Sequence, residues 1–497
     1  FGNDPKVATK NVPADAVKKV QVYDKKSDES EFTGISDGSH DKTLNLMLKD
    51  DKKKAVFGDV MAGGGTGDHY QGSAKIYRFT GANQFAALGM INNINQFGFS
   101  FSDYLNFSGG LGIYSRGNVE LGMTTDNSYP VNFGQPVNGY VTSGAVGLNF
   151  SHEFRKNNRF YINYIGNATG TRLDQHIYSE NFIPGGSFVQ DKESSANDEN
   201  WVHRVNFGWK NRIDSTQNLA FSGGASLTNK SGSGSPFTES YRNDSLINSL
   251  KSMNSDQEER LSGNFSGSYI KKLNAGRTNL KLSGNASYSY GLDNIQWQNI
   301  THFYNPDLIA ASRQYQKNMT DRLKGEISLS LTQKTGKALY LEPILTAAYA
   351  GENLERKQGV SAETGEITDS LSPVFSTRNL NFQPALRLEL NTEKTSFAIV
   401  AHMELGRMQS HLKNEPGMQT GICAFTPRIS WEYEYNKGKR LALAFESSVN
   451  TPTANQLMPV PDNINPLILS YGNQSLKPEY RHEALFNWWL FDQFSFT

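Results

Sequence analysis

Nine histidines are scattered along the 497-residue chain, and their neighbours decide what chemistry they can support. His152-Glu153 and His482-Glu483 each set a histidine beside a carboxylate, but neither has the second histidine that a zinc-binding helix needs. No Gly-x-x-x-x-Gly-Lys-Ser/Thr stretch occurs, so a nucleotide has no phosphate loop of that kind. Gly63-Gly64-Gly65 with Gly67 has no helix after it and reads as a flexible turn, and the Ser-Gly run from Ser231 to Ser235 reads as a mobile loop rather than a nucleophile elbow. Cys423 is the one cysteine, which excludes an intrachain disulfide and multi-cysteine metal sites. The expectation is therefore no enzyme, no cofactor and no metal. A Ser-His pair brought together from distant segments stays open as an alternative, because such partners are neighbours in space rather than in sequence.

Binding chemistry is better represented. Aromatic side chains with polar flanks concentrate in three polar stretches: Tyr178, Phe182 and Phe188 in one, Phe237 and Tyr241 in a second, and Trp297, His302, Phe303 and Tyr304 in a third. Aromatic faces suit sugars, catechols or peptide side chains, and loops held by a rigid scaffold are where recognition usually lives. The bland alternative, that these rings pack the loops against one another, is equally weighted. Charges such as Arg387, Glu389, Arg428, Glu432 and Glu434 read as lining a hydrated wall or holding an internal domain.

The elements that must position these residues show a period of two. Leu280, Leu282, Gly284, Ala286, Tyr288 and Tyr290 alternate with Asn279, Lys281, Ser283, Asn285, Ser287 and Ser289, the mark of a strand with one apolar face. The same split runs through 380–391, 323–331, 397–405 and 425–435. Short turns recur at 155–158, 214–216, 273–276, 335–337, 392–394 and 436–439, and between them lie long polar stretches at 173–199, 229–256, 292–320, 352–377, 409–422 and 452–479. Tight turns at one end and long excursions at the other are the layout of a transmembrane β-barrel. About sixteen strands are expected, many near the roughly 10 residues that a tilted strand needs to cross a bilayer. A sheet of that size encloses a lumen too wide for side chains to fill, so the apolar row faces lipid and the polar row faces water. A soluble β-sandwich shares the alternation but not the size.

Composition agrees. Lys+Arg and Asp+Glu number 49 each, which removes the basic footprint of a nucleic-acid binder. Only 37% of residues are hydrophobic, yet 11% are aromatic and 45 are glycine. No run approaches the roughly 18 apolar residues of a membrane helix, whereas barrel strands hardly register in hydropathy. The fold class is accordingly an all-β membrane protein, an antiparallel transmembrane barrel with outer-membrane lipid as its surroundings.

Residues 1–54 differ from the rest. Asn11 to Lys18, with Pro13 near the start, read as a capped helix start, followed by strands at 20–23 and 43–48 and a charged linker from Lys49 to Lys54. The segment carrying Asn11, Pro13, Asp15, Val17, Val20 and Val22 resembles the closing part of the plug of TonB-dependent outer-membrane receptors, and most resembles the large Bacteroidetes-type barrels. Far downstream, Tyr471-Gly472-Asn473-Gln474-Ser475-Leu476-Lys477-Pro478-Glu479 is similar to that family's Gly-Asn-Pro-x-Leu-Lys-Pro-Glu signature, with Gln474 in place of proline, and 451–459 resembles the preceding loop.

The resemblance implies two parts, residues 1–54 as the C-terminal part of a plug and 55–497 as a barrel, C-terminally incomplete, with about 16 of an expected 22 strands. It also implies a Gram-negative outer-membrane receptor that binds a nutrient at its outer face and imports it. A TonB-type protein acting through a segment before Phe1 would supply the energy, and a surface lipoprotein is a possible further partner. Two alternatives are an adhesion or assembly barrel and a barrel-embedded hydrolase.

Overall fold

The computed structural model describes residues 17–25, 28–35, 41–49, 55–96, 138–184, 186–360, 367–392, 394–436, 439–462 and 470–490. Asn11, Pro13 and Asp15 lie outside the described residues, as do most of the charged linker and the last seven residues. The helix start read at 11–18 is corrected where it can be checked, since Val17 and Lys18 already belong to a strand.

Near the N-terminus, β1 (Val17–Lys25) pairs antiparallel with β2 (Asp41–Leu48), and the polar stretch between them holds a short helix, α1 (Asp28–Thr33), which alternation could not reveal. Everything downstream builds one 18-stranded antiparallel sheet. Its first half is β3 (Ala55–Gly64), β4 (Tyr70–Thr80), β5 (Asn83–Asn92), β6 (Tyr140–Arg155), β7 (Asn158–Ile183), β8 (Gly186–Arg212), β9 (Gln217–Gly234), β10 (Phe237–Arg242) and β11 (Ser245–Leu273). The second half is β12 (Thr278–Tyr304), β13 (Asp307–Lys334), β14 (Leu339–Gly359), β15 (Val374–Asn391), β16 (Thr395–Leu412), β17 (Met418–Phe425), β18 (Arg428–Asn436), β19 (Lys439–Asn450) and β20 (Glu479–Leu490). A four-residue helix, α2 (Ala454–Leu457), precedes β20.

Eighteen segments make sixteen wall staves. β10 is a hairpin arm beyond the wall, lying between β8 and β11, and β17 and β18 both pair with β16 as halves of one stave interrupted at Pro427.

The rows fall as the alternation requires. Leu282, Leu329, Leu345 and Leu388 are 43%, 45%, 50% and 40% exposed, so the apolar row is an outer surface and not a dry core between two sheets. The opposite row carries Ser, Asn, Thr and paired charges, and includes buried Asn163, Asn279 and Ser330. An outward band from Leu280 to Tyr290 spans about 25 Å of bilayer at the usual strand tilt. Tyr288, Tyr290 and Tyr349 stand at its upper margin, where an aromatic girdle belongs.

Turn chemistry distinguishes the two ends. At the short end Asp214 Oδ1 accepts from the backbone N–H of Thr216 at 2.7 Å and of Gln217 at 2.9 Å, which holds that carboxyl below its ordinary pKa, while Asn157 and Asn274 adopt positive φ. At the far end the stretches expected to be loops are mostly ladder. β7, β8, β11, β12 and β13 run 26 to 29 residues, far beyond the bilayer, and β10 joins β11 through Asn243 and Asp244, both at positive φ as a two-residue hairpin demands. Above the membrane both faces of a strand meet water, so the apolar alternation disappears while the extended backbone continues.

Candidate functional site: the luminal mouth

Between β19 and β20 the described residues 451–462 and 470–478 form a loop at the far end that folds inward. Thr453 caps α2 with a reciprocal capping box: its hydroxyl accepts from Gln456 N–H, and the Gln456 side chain accepts from Thr453 N–H. Gly472 N–H donates to Met458 O and Asn473 N–H to Gln456 O, each at 2.7 Å, which stitches the two resemblance segments, 451–459 and 471–479, into one unit. A side chain at 472 is excluded, since a Cβ there would lie 2.5 Å from Gln456 O.

This unit is pinned to the wall by apolar and polar contacts. Ala454, Leu457 and Met458 are buried with Leu354, Phe375, Met408, Leu412 and Ile422, which stand on the inward rows of β14 to β17. Beside them Arg356, 2% exposed, donates to the carbonyls of Leu371 (3.1 Å), Val460 (3.2 Å) and Pro461 (2.7 Å) and pairs with Asp462 at 3.3 Å. Gln316 donates to Asp462 at 2.9 Å, and Glu352, paired with Arg322 at 2.8 Å, accepts from Ala454 N–H. Four of Arg356's five N–H groups are thus directed at the loop and its neighbours, so the residue positions the loop.

Between loop and wall lies a cavity of about 610 Å³, lined from the wall by Asp293, Asn318 and Thr320 and from the loop by Gln456, Tyr471 and Asn473. Such a volume suits a small solute. Nearby on the luminal rows Glu258 bridges Lys230 and Arg260, and Arg260 reaches Asp293 at 3.1 Å. Asp198 and Asp256 converge over Gly232; burial, followed by repulsion from Asp256, raises the Asp198 pKa above its ordinary value.

The expected aromatic residues are distributed over both faces of the extended hairpins. Register puts Tyr178, Phe182, Phe237, Tyr241, His302 and Tyr304 on one face, and Phe188, Trp297 and Phe303 on the other. Trp297 and Phe303 share the inward row of β12 with Asp293, whereas the first group continues the outward row. Phe182 is 84% exposed at a hairpin tip. On the outward face Tyr241 donates to Glu239 at 2.8 Å, and His302 contacts Asp307 at 2.6 Å. The residues that do converge, Asp293, Asn318, Tyr471 and Asn473, include two positions of the quoted C-terminal stretch, Tyr471 and Asn473; Asp293 and Asn318 escaped sequence reasoning because they meet these only when the loop folds back.

The motif's remaining residues prepare β20: Leu476 N–H bonds Asn473 O, and after Lys477 and Pro478 the ladder begins at Glu479. Val17, Val20 and Val22 lie in β1, paired with Leu48, Leu46 and Leu44. The charges read as lining the wall pair within it: Arg387 with Glu389 at 2.6 Å, Arg428 with Glu446 at 3.1 Å and Arg440 with Glu432 at 2.7 Å.

At the short-turn end α1 docks inside the wall. Phe32, 4% exposed, lies under Lys272 and Arg212, with Lys272 Nζ 4.4 Å from its ring centroid, and Glu29 pairs with Lys281 at 2.7 Å.

Catalytic geometry is sparse. Ser447 Oγ lies 2.8 Å from His482 Nδ1, but Ser447 is fully buried and closed to a substrate. Among the described residues no cluster of His, Cys, Asp and Glu could hold a metal ion.

Residues 282–497 match the Outer membrane protein beta-barrel family. No curated protein matches the chain. Among solved structures it is similar to the siderophore receptor PiuA from Acinetobacter baumannii, at 10% identity and a TM-score of 0.33 over 95% of this chain and 80% of that one. The ferric-catecholate import receptor Fiu from K12 E. coli in its closed form follows at 8% identity and a TM-score of 0.23, over 83% and 79% of the two chains. The ferric yersiniabactin uptake receptor FyuA from Yersinia pestis is also similar, at 8% identity and a TM-score of 0.16 over 88% and 82%. These superpositions are too loose to bear on any ligand. Wall architecture and the family match over residues 282–497 agree on an antiparallel β-barrel of the outer-membrane type.

Proposed function

We propose that the protein binds a nutrient in the luminal mouth and imports it past a plug whose C-terminal part is residues 1–54, the barrel being residues 55–497. The observation that carries this reading is the pairing of two inward-folded parts at opposite ends of the same lumen. Residues 451–462 and 470–476 enclose a solute-sized cavity at the outer end, and α1 is tethered to the wall at the inner end. A barrel built to adhere needs neither. The tether is weak enough to be broken by mechanical work, since an exposed ion pair contributes about 0.2–1 kcal/mol and a cation–π contact about 0.5–2 kcal/mol. A TonB-type partner pulling on the chain upstream of α1 is the energy source this reading requires, and a surface lipoprotein that closes the mouth is compatible with it.

The test is a lock. Glu29→Cys and Lys281→Cys, introduced into the complete gene product with Cys423→Ser, place two thiols where the ion pair stands. Oxidation should abolish energy-dependent uptake while leaving binding of the nutrient at the cell surface intact, and reductant should restore uptake. Uptake that continues at the same rate through a quantitatively oxidised protein would refute import through this lumen.

A further inference from the structure

The outward face of the tall hairpins carries charge of both signs, sorted into two groups. Gln316, Arg356, Ser240 and Ser252 are buried on the luminal side, which fixes the odd-numbered residues of β10, β11, β13 and β14 as the outward row at this level. On that row Arg313, Lys317 and Lys357 stand together on β13 and β14, with the two lysines directly opposite each other across the ladder. Asp191, Glu193 and Glu239 stand together on β8 and β10, with Glu239 opposite Asp191. Like charges in this arrangement are destabilising. Lys357 has Glu355 at 3.0 Å and Asp191 has His176, but among the described residues Arg313, Lys317 and Glu193 have no ion-pair partner. Three cations less Glu355 give the first group +2, and three carboxylates less Lys251, opposite Phe237, give the second −2.

The two groups stand at one height. Arg313 and Lys317 lie roughly 17–21 residues from Lys334, where β13 meets its short turn, and Asp191 and Glu193 roughly 19–21 residues from Arg212, the same end of β8. Between them run β12 and β11, whose outward residues at that level are uncharged: Gln296, Gln298, Ser255 and Met253. Met253 is 54% exposed and stands beside a groove of about 520 Å³ bordered by Gln298 and Tyr315.

A face with a cationic flank, a neutral centre and an anionic flank at equal height is its own complement. Half a turn about an axis along the membrane normal, through the neutral centre, sets each cationic flank against the anionic flank of a second copy. The same rotation keeps both copies upright in one membrane. Six strands at about 4.8 Å spacing and about 20 Å of height present roughly 600 Å² on each copy, so a pair reaches the ~1,000 Å² of a specific interface.

We propose that the outward face of β8 to β14 joins two copies of this chain into a twofold dimer. Arg313, Lys317 and Lys357 of each copy face Asp191, Glu193 and Glu239 of the other, with Met253 near the axis. The pairing is independent of what the lumen transports.

The experiment is sedimentation velocity of the complete gene product in detergent micelles. The parent protein should be dimeric at about 50 mM salt and dissociate toward monomer at about 500 mM, since exposed charge pairs are screened. Arg313→Glu with Lys317→Glu, and separately Glu193→Lys with Glu239→Lys, set like charges against like at both contacts and should weaken the dimer at least about tenfold. An equal mixture of the two variants restores opposite charges at both contacts and should recover a dimer containing one of each. A parent that is monomeric at the lower salt overturns the proposal, as do reversals that leave its dimer unchanged or a mixture that stays monomeric. If either variant loses the heat-modifiable migration of a folded barrel, cross-linking in Cys423→Ser protein decides. Met253→Cys should form an intermolecular disulfide on oxidation in membranes, and Leu443→Cys, on the outward row of β19, should not. Equal cross-linking at the two positions overturns the proposal.

Discussion

Replacing Gly472 with alanine should undock the inward loop without disturbing the wall. The methyl carbon would fall 2.5 Å from Gln456 O and 2.7 Å from both Gln456 C and Met458 N, all backbone atoms of the partner segment that cannot rotate aside. Relief requires the two segments to part, which strains or breaks the Gly472–Met458 and Asn473–Gln456 hydrogen bonds. Two backbone bonds at about 1 kcal/mol each, with about 1–3 kcal/mol for overpacking, give roughly 3–5 kcal/mol. The equilibrium for local opening then shifts by roughly two to three and a half powers of ten, at about 1.4 kcal/mol for each. Leu457 and Phe375, both fully buried, become accessible on opening. Hydrogen exchange in detergent micelles should show amides of 456–458 and 472–473 losing protection by about that factor, while β12 and β13 stay protected. Gly421→Ala is the control, because nothing lies within 4 Å of a Cβ at that position. Unchanged protection in Gly472→Ala, or equal loss in Gly421→Ala, would refute the account of why glycine stands there.

Arg356→Met should be more damaging than its surface-like chemistry suggests, because it leaves Asp462 and the carbonyls of Leu371, Val460 and Pro461 without their donor; a loss of about 3–5 kcal/mol is expected, read as a lower unfolding midpoint in detergent, and a shift no larger than that of an exposed arginine such as Arg172 would count against it. Asp198→Asn should stabilise the protein near neutral pH. The folded-state pKa of Asp198 is raised, first by burial and then by Asp256, so the folded state binds the proton more tightly than the unfolded chain does. That advantage is fully present below the ordinary carboxylate pKa of 3.8 and is lost as pH rises through the raised value. Melting midpoints measured from pH 3 to 7 should therefore fall less steeply in the variant than in the parent, and parallel curves would show that the two carboxylates do not interact.

The wall was legible in the sequence wherever one face meets lipid and the other water. Leu280 to Tyr290 and Leu380 to Leu390 announce both their conformation and their orientation, because a one-residue slip would turn every apolar side chain inward. The same logic explains the largest misreading. From Asn294 to Tyr304 on β12 both faces are wet, so nothing in the residue types distinguishes a ladder from a loop, although Asn294 pairs with Gln257 and Tyr304 with Asp307 in unbroken register. The inner contacts were illegible for a different reason. Leu354 sits in a polar stretch, and Phe375 lies on the luminal row, where an apolar residue contradicts the alternation. Each makes sense only against Leu457, which is about 80 to 100 residues further along. α1 was hidden likewise, since its one strongly informative side chain, Phe32, is buried by cations from β8 and β11 rather than by its own neighbours.

These placements bear on how selectivity is encoded. In a receptor whose binding residues sit on flexible loops, ordering those loops subtracts from affinity at about 0.5–1.5 kcal/mol for each immobilised side chain. Here Asp293, Asn318 and Thr320 project from the middle of strands hydrogen-bonded on both sides, and the loop that completes the cavity is itself fixed by a capping box, two backbone bridges and a buried arginine. On the function proposed above, the cavity is formed before an occupant arrives. Its shape follows from which residues occupy the inward row at the level of Asp293, while the exposed hairpin tips around Phe182 can vary without altering it. Swapping the 177–187 tip should therefore leave the ligand preference of the mouth unchanged, whereas exchanging Asn318 and Thr320 for larger side chains should alter it, because the first change lies outside the ladder that sets the cavity and the second lies within it.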